Sequence, residues 1–189
     1  MRKTVVDHLT MLKDESMLQE LIGLQIFKSW NVFATRIFYF ADLSCRNRSQ
    51  DGDYRLALEC PWRIEQYDRI LVGSEDYGER ATDNLEPDWN RSEMQWGHLQ
   101  DQNLIALMGR EKDHEIYTTN LELVVESVNT DPVGGFHLSL SGGYRLSVFP
   151  ASSSATFNLE WQLSRRTGGL LTLAKGVLSE SREGPAEIK

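Results

Sequence analysis

The sequence predicts an α+β fold: a mainly antiparallel sheet of about seven strands with an N-terminal helix and a long acidic loop. Three observations lead there. Apolar residues recur at helical spacing near the start of the chain, between Val5 and Ile22. Later segments alternate apolar and polar residues with the period of a half-buried strand, as in Phe136, Leu138 and Leu140 or Phe157, Leu159, Trp161 and Leu163. Short reversal signals join these segments, and no regular helix separates them, so neighbouring strands should run antiparallel.

Taken in order, Val5, Leu9 and Leu12, then Leu18, Leu21 and Ile22, define the helix, interrupted around Asp14 to Ser16 and ended by Gly23. Leu24 to Trp30 and Val32 to Phe40 carry the β-branched and aromatic residues that suit a pleated sheet, with Asn31 as the turn. After Asp51-Gly52, the residues Leu56, Leu58, Cys60 and Trp62 alternate as a strand, and Pro61 places that strand at an edge or bulge because it lacks an amide donor. Ile70 to Gly73 is its short partner. A long loop or lid with short helices follows, then a turn or two of helix over Gln102 to Met108. Leu121, Leu123 and Val125 form the next strand. Gly142-Gly143 then marks a hairpin between Phe136–Leu140 and Tyr144–Val148. Beyond Arg165, Gly168-Gly169 and a polar end suggest a tail, with Leu170 to Leu178 as a small docked element. The expected organisation is a helix over 1–22, a single domain over 23–165 and a tail over 166–189.

With 189 residues, 40% of them hydrophobic, the chain can bury a substantial core. Its charge is uneven. Between Glu65 and Asp101 stand ten acidic residues and only Arg69, Arg80 and Arg91, so this stretch carries a net −7 of the chain's −8. An acidic balance argues against wrapping nucleic-acid phosphate and for a basic partner or a cation. Cys45 and Cys60 form neither a redox motif nor a zinc knuckle. Charged residues interrupt any signal core near the N-terminus, and no run approaches the roughly 20 apolar residues of a membrane span. A reducing bacterial cytoplasm is the expected setting. Phosphate-loop and dinucleotide fingerprints are absent from the sequence, so no cofactor is expected.

Few residues point to chemistry. His8, His98, His114 and His137 lack metal-ligand spacing, and no metal site is expected. Glu75 and Asp76 follow a strand end, where adjacent carboxylates can act as acid and base; with His98 and Asp101 they make a candidate catalytic group for a small carboxylate- or metal-dependent hydrolase. The alternative for Glu75 and Asp76 is a solvated turn. Arg63 could grip an anionic ligand or pair with Glu59 and Glu65 on its own strand. Ser152-Ser153-Ser154 lacks the glycine-flanked elbow of a nucleophile and is a turn. Trp89 and Trp96 lie among Asp83, Glu86, Asp88 and Glu93, which is the composition of an anchor-and-rim surface for a partner rich in Lys and Arg. At least one of these tryptophans is expected to pin the loop to the sheet.

Two passages carry a resemblance: Leu58-Glu59-Cys60-Pro61-Trp62-Arg63-Ile64 with Ile70 to Asp76, and Gly142-Gly143-Tyr144-Arg145-Leu146-Ser147-Val148-Phe149-Pro150 with Glu160-Trp161-Gln162-Leu163. Together they resemble a family of small bacterial domains of unknown function, over roughly Leu21 to Arg165. The resemblance implies a bacterial cytosolic α+β domain and leaves the activity open. The charge pattern supplies the leading functional expectation, a non-catalytic protein-binding module, such as an immunity-type inhibitor or adaptor, that docks a basic protein through the acidic loop.

Overall fold

The computed structural model describes residues 16–44, 52–78, 99–151 and 159–181. A short helix α1 (Ser16–Gln19) leads into β1 (Gln25–Val32), β2 (Thr35–Ala41) and β3 (Tyr54–Leu58). Next come β4 (Trp62–Gln66), β5 (Arg69–Gly73), a 3-10 turn (Ser74–Gly78) and helix α2 (Leu99–Met108). The chain continues through β6 (Gly109–Lys112), β7 (Glu115–Thr118), β8 (Val125–Thr130), β9 (Phe136–Leu140) and β10 (Tyr144–Val148), and closes with β11 (Trp161–Arg165), β12 (Leu170–Ala174) and β13 (Val177–Ser181).

The mainly antiparallel character is as expected; the single sheet of about seven strands is not. Two sheets are present among the described residues, one ordered β13-β12-β11-β3-β2-β1-β7-β6 and the other β5-β4-β10-β9-β8. They face each other. Phe38, Leu56, Trp161 and Leu163 of the larger sheet share one buried cluster with Trp62, Ile64, Phe136 and Leu146 of the smaller. Edge-to-face ring pairs span the gap, Phe38 with Trp62 at 5.3 Å and Phe136 with Trp161 at 5.1 Å. Each such side chain contributes about 1.5–3 kcal/mol by leaving water.

The strand expected through Leu56 and Trp62 divides at Glu59-Cys60-Pro61, where the chain passes from the larger sheet to the smaller. The cause is local hydrogen bonding: the amides of Glu59 and Cys60 both donate to the Glu160 carbonyl, at 2.9 and 3.0 Å, and Phe149 donates to the Pro61 carbonyl at 2.8 Å. Pro61, with no amide to donate, fits this junction. The small docked element expected over Leu170 to Leu178 is a pair of strands and not part of a tail. β12 and β13 extend the larger sheet, and Leu171 and Leu173 are buried in the common core. Of the expected N-terminal helix, only α1 lies within the described residues.

The glycine hairpin stands where the sequence puts it. Gly142 and Gly143 take φ of +74° and +75°, and β9 and β10 pair across them from Leu140 and Tyr144 outward. β2 is buried on both faces, which explains its unbroken apolar run: Phe38 and Phe40 join the common core, while Ile37, Tyr39 and Ala41 form a second cluster with Phe27 and Ala57. On that second side Lys28 is buried, its Nζ 2.8 Å from Glu115 and 4.2 Å from the centre of the Tyr39 ring. Helix α2 sends Leu104 and Met108 into the common core, packing against β5, β7 and the 3-10 turn at one end of the sandwich.

Candidate functional site

Alternation along β2 puts Arg36 on the same face as Phe38 and Phe40, toward the core, and the residue is only 1% exposed. A guanidinium buried this way requires dedicated partners. They come from the first turn of α2. Arg36 Nε and Nη2 donate to Gln100 Oε1 at 3.1 and 2.5 Å, and Nη2 lies 2.6 Å from Asp101 Oδ1. Burial pulls the Arg36 pKa down, and Asp101 opposes that pull. Gln100 continues the network by donating from Nε2 to the carbonyls of Gly73 and Ser74, at 2.8 and 3.3 Å. Asp76 Oδ2 accepts from the Gly73 amide at 2.9 Å and from Asn103 Nδ2 at 3.3 Å. The 3-10 turn that precedes residues 79–98 and the helix that follows them are therefore fastened to each other and to β2.

A cavity of about 500 Å³ opens at the same end. Phe33, Ala34 and Thr35 of the β1–β2 turn line one side, Glu59, Cys60 and Pro61 of the sheet crossover another, and Ala151, Leu159 and Glu160 complete it. Thr35 directly precedes Arg36, and the residue after Pro61, Trp62, donates its amide to Ser74 Oγ at 3.3 Å, so the cavity and the α2 network share one pole. Phe33, in the left-handed region at φ +54°, is 83% exposed. Glu160 is 8% exposed, and its carboxylate has no hydrogen-bond or ion-pair partner among the described residues. Glu59 Oε1, by contrast, accepts from Thr35 Oγ1 at 3.3 Å. Burial, with the Glu160 charge added, pushes the Cys60 thiol up to about 12, so it stays protonated and unreactive near neutrality.

The sequence-predicted residues divide into three groups. Asp76 and Asp101 are brought near each other, but each is bonded within the fold, and Glu75 is exposed in the 3-10 turn. Arg63 lies on the outer face of the smaller sheet, where its Nε donates to Glu65 Oε2 at 2.7 Å and its guanidinium sits 4.9 Å from the Phe149 ring centre. Arg145 binds the other oxygen of Glu65. Asp83, Glu86, Asp88, Trp89, Glu93, Trp96 and His98 lie outside the described residues. Glu65, Asp76 and Asp101, counted in the acidic stretch, thus serve internal partners and offer a visitor less than the bare charge count suggests.

Sequence reasoning missed Arg36, Gln100 and Glu160. Arg36 left a signal, a charged residue two positions before Phe38 on an inward-facing register. Glu160 left none, because its burial comes from a crossover a hundred residues earlier in the chain. Among the described residues no three His, Cys, Asp or Glu side chains converge as a metal site would require, and no helix is long and apolar enough to cross a membrane. No family model, curated protein or solved structure matches the chain.

Proposed function

We propose that this chain is a non-catalytic protein-binding module of the bacterial cytosol, an immunity-type inhibitor or adaptor, that docks a basic partner through the acidic residues between 79 and 98. One observation supports the reading above others: the 3-10 turn before that segment and the helix after it are tied at a single pole by the buried Arg36–Gln100–Asp101 network, so the segment begins and ends at one place. Five acidic residues and two arginines lie between 79 and 98, enough to bias encounter with a positive surface at low salt.

The hydrolase reading draws no such support. Asp76 and Asp101 would have to surrender the bonds that hold α2 in place before acting as acid or base. The binding reading is tested by changing Asp83, Glu86, Asp88 and Glu93 together to their amides. Immobilised on a column, the wild-type protein should retain basic proteins from a bacterial lysate at low salt, and the variant should lose them while its thermal melt is unchanged. Equal retention by the two proteins, across a salt series, would refute the proposal.

A further inference from the structure

Resting on the binding reading, we infer that the cavity at this pole is an anchor socket for a Lys or Arg side chain of the basic partner. Glu160 carries the argument. Glu160 is a residue more than nine-tenths buried that lines the cavity, and its carboxylate has no partner among the described residues, whereas the other buried charges there, Lys28, Arg36 and Glu65, all have opposite charges in contact. Glu59 adds a second carboxylate on the lining, one oxygen of which already accepts from Thr35.

The remaining walls are of the kind that suits a hydrocarbon stem. Pro61, Leu159 and Ala34 line the cavity, and Phe33 offers an exposed ring. Long cationic side chains bury their methylenes on such surfaces while the charged head seeks a counter-ion, and Arg is over-represented among anchoring residues at interfaces. A volume of about 500 Å³ lies within the roughly 300–1,000 Å³ of ordinary ligand sites. Cys60 is a protonated bystander in this arrangement and forms no bond to the guest. The socket lies at the pole where the described fold passes from the 3-10 turn to α2, on either side of the acidic segment.

The test uses full-length, isotope-labelled protein titrated with Nα-acetyl-arginine amide and Nα-acetyl-lysine amide, followed by NMR shifts of Phe33, Cys60 and Leu159. Nα-acetyl-norleucine amide, which keeps a stem and lacks the charge, is the control. Saturable shifts are expected with the cationic probes only, and Glu160→Gln should weaken them roughly ten- to hundredfold, the size of a lost charge-assisted hydrogen bond, while the variant stays folded with no loss of stability. Equal shifts with norleucine amide, or full binding by Glu160→Gln, would overturn the socket. Tighter binding of free putrescine than of either capped amino acid would overturn a protein side chain as the guest. The fourfold amide variant changes none of the described lining residues and should bind the probes as wild type does, so its failure to retain basic proteins bears on the acidic segment alone.

Discussion

Glu65 and Glu160 are buried almost equally, at 6% and 8% exposure, yet Glu65 is held by two guanidiniums and Glu160 by none. The difference follows from where each lies. Glu65 is the fourth of the five residues of β4, where register sets Arg145 directly opposite and Arg63 two residues along the same face. Regular pairing supplies its counter-ions as a by-product of the sheet. Glu160 precedes β11 at an irregular crossover, where backbone groups rather than side chains make the contacts. A carboxylate of the first kind belongs to the architecture; one of the second kind is available to a visitor.

The comparison can be broken first at its third member, the Arg36 pair. Arg36→Ala would leave Asp101 and Gln100 without their shared donor, and a loss of about 3–5 kcal/mol is expected in chemical denaturation. A loss under 1 kcal/mol would show that the pole does not depend on this network. Next, Glu65→Ala and Glu160→Gln should move stability in opposite directions. Glu65→Ala should cost about 1–2 kcal/mol, moderated because Arg63 and Arg145 are 40% and 49% exposed and can turn to water. Glu160→Gln should gain roughly 1 kcal/mol by removing an uncompensated charge. Paired urea titrations check both signs, and a loss for Glu160→Gln would mean its carboxylate has a stabilising partner after all.

The smallest effect concerns Glu115. Burial alone would raise its pKa, but hydrogen bonds from Lys28 and Tyr117 outweigh burial and hold it below the ordinary carboxylate value. A depressed folded-state pKa contributes stability above the unfolded value and loses it as pH falls through the folded one. The urea midpoint of the wild-type protein should therefore fall on acidification below the usual glutamate range, and more steeply than that of Lys28→Met. Parallel curves for the two proteins would remove Glu115 from the account.

Much of the sheet was legible. Period-two runs and a Gly-Gly reversal locate β9 and β10 because both signals are local, and Gly142-Gly143 has few other conformations to serve. The division of one strand into β3 and β4 was not legible: Leu56, Leu58 and Trp62 keep their alternation across the break, and what bends the chain is the carbonyl of Glu160, distant in sequence. β12 is not decidable from sequence, because Leu171 and Leu173 give too short an alternation to tell a sheet strand from a small docked element. The acidic segment was visible as composition, whereas the means of fastening it, a guanidinium on β2 and an amide on α2, required the fold to bring together residues 64 positions apart.

That fastening shapes how the protein can change over generations. The elements on either side of the segment, the 3-10 turn and α2, are secured by Arg36, Gly73, Asp76, Gln100 and Asp101. Doubling the length of such a closed segment costs only about 0.6 kcal/mol in chain entropy. Lengthening or substituting the stretch between Gly78 and Leu99 therefore leaves in place the bonds that hold the 3-10 turn to α2.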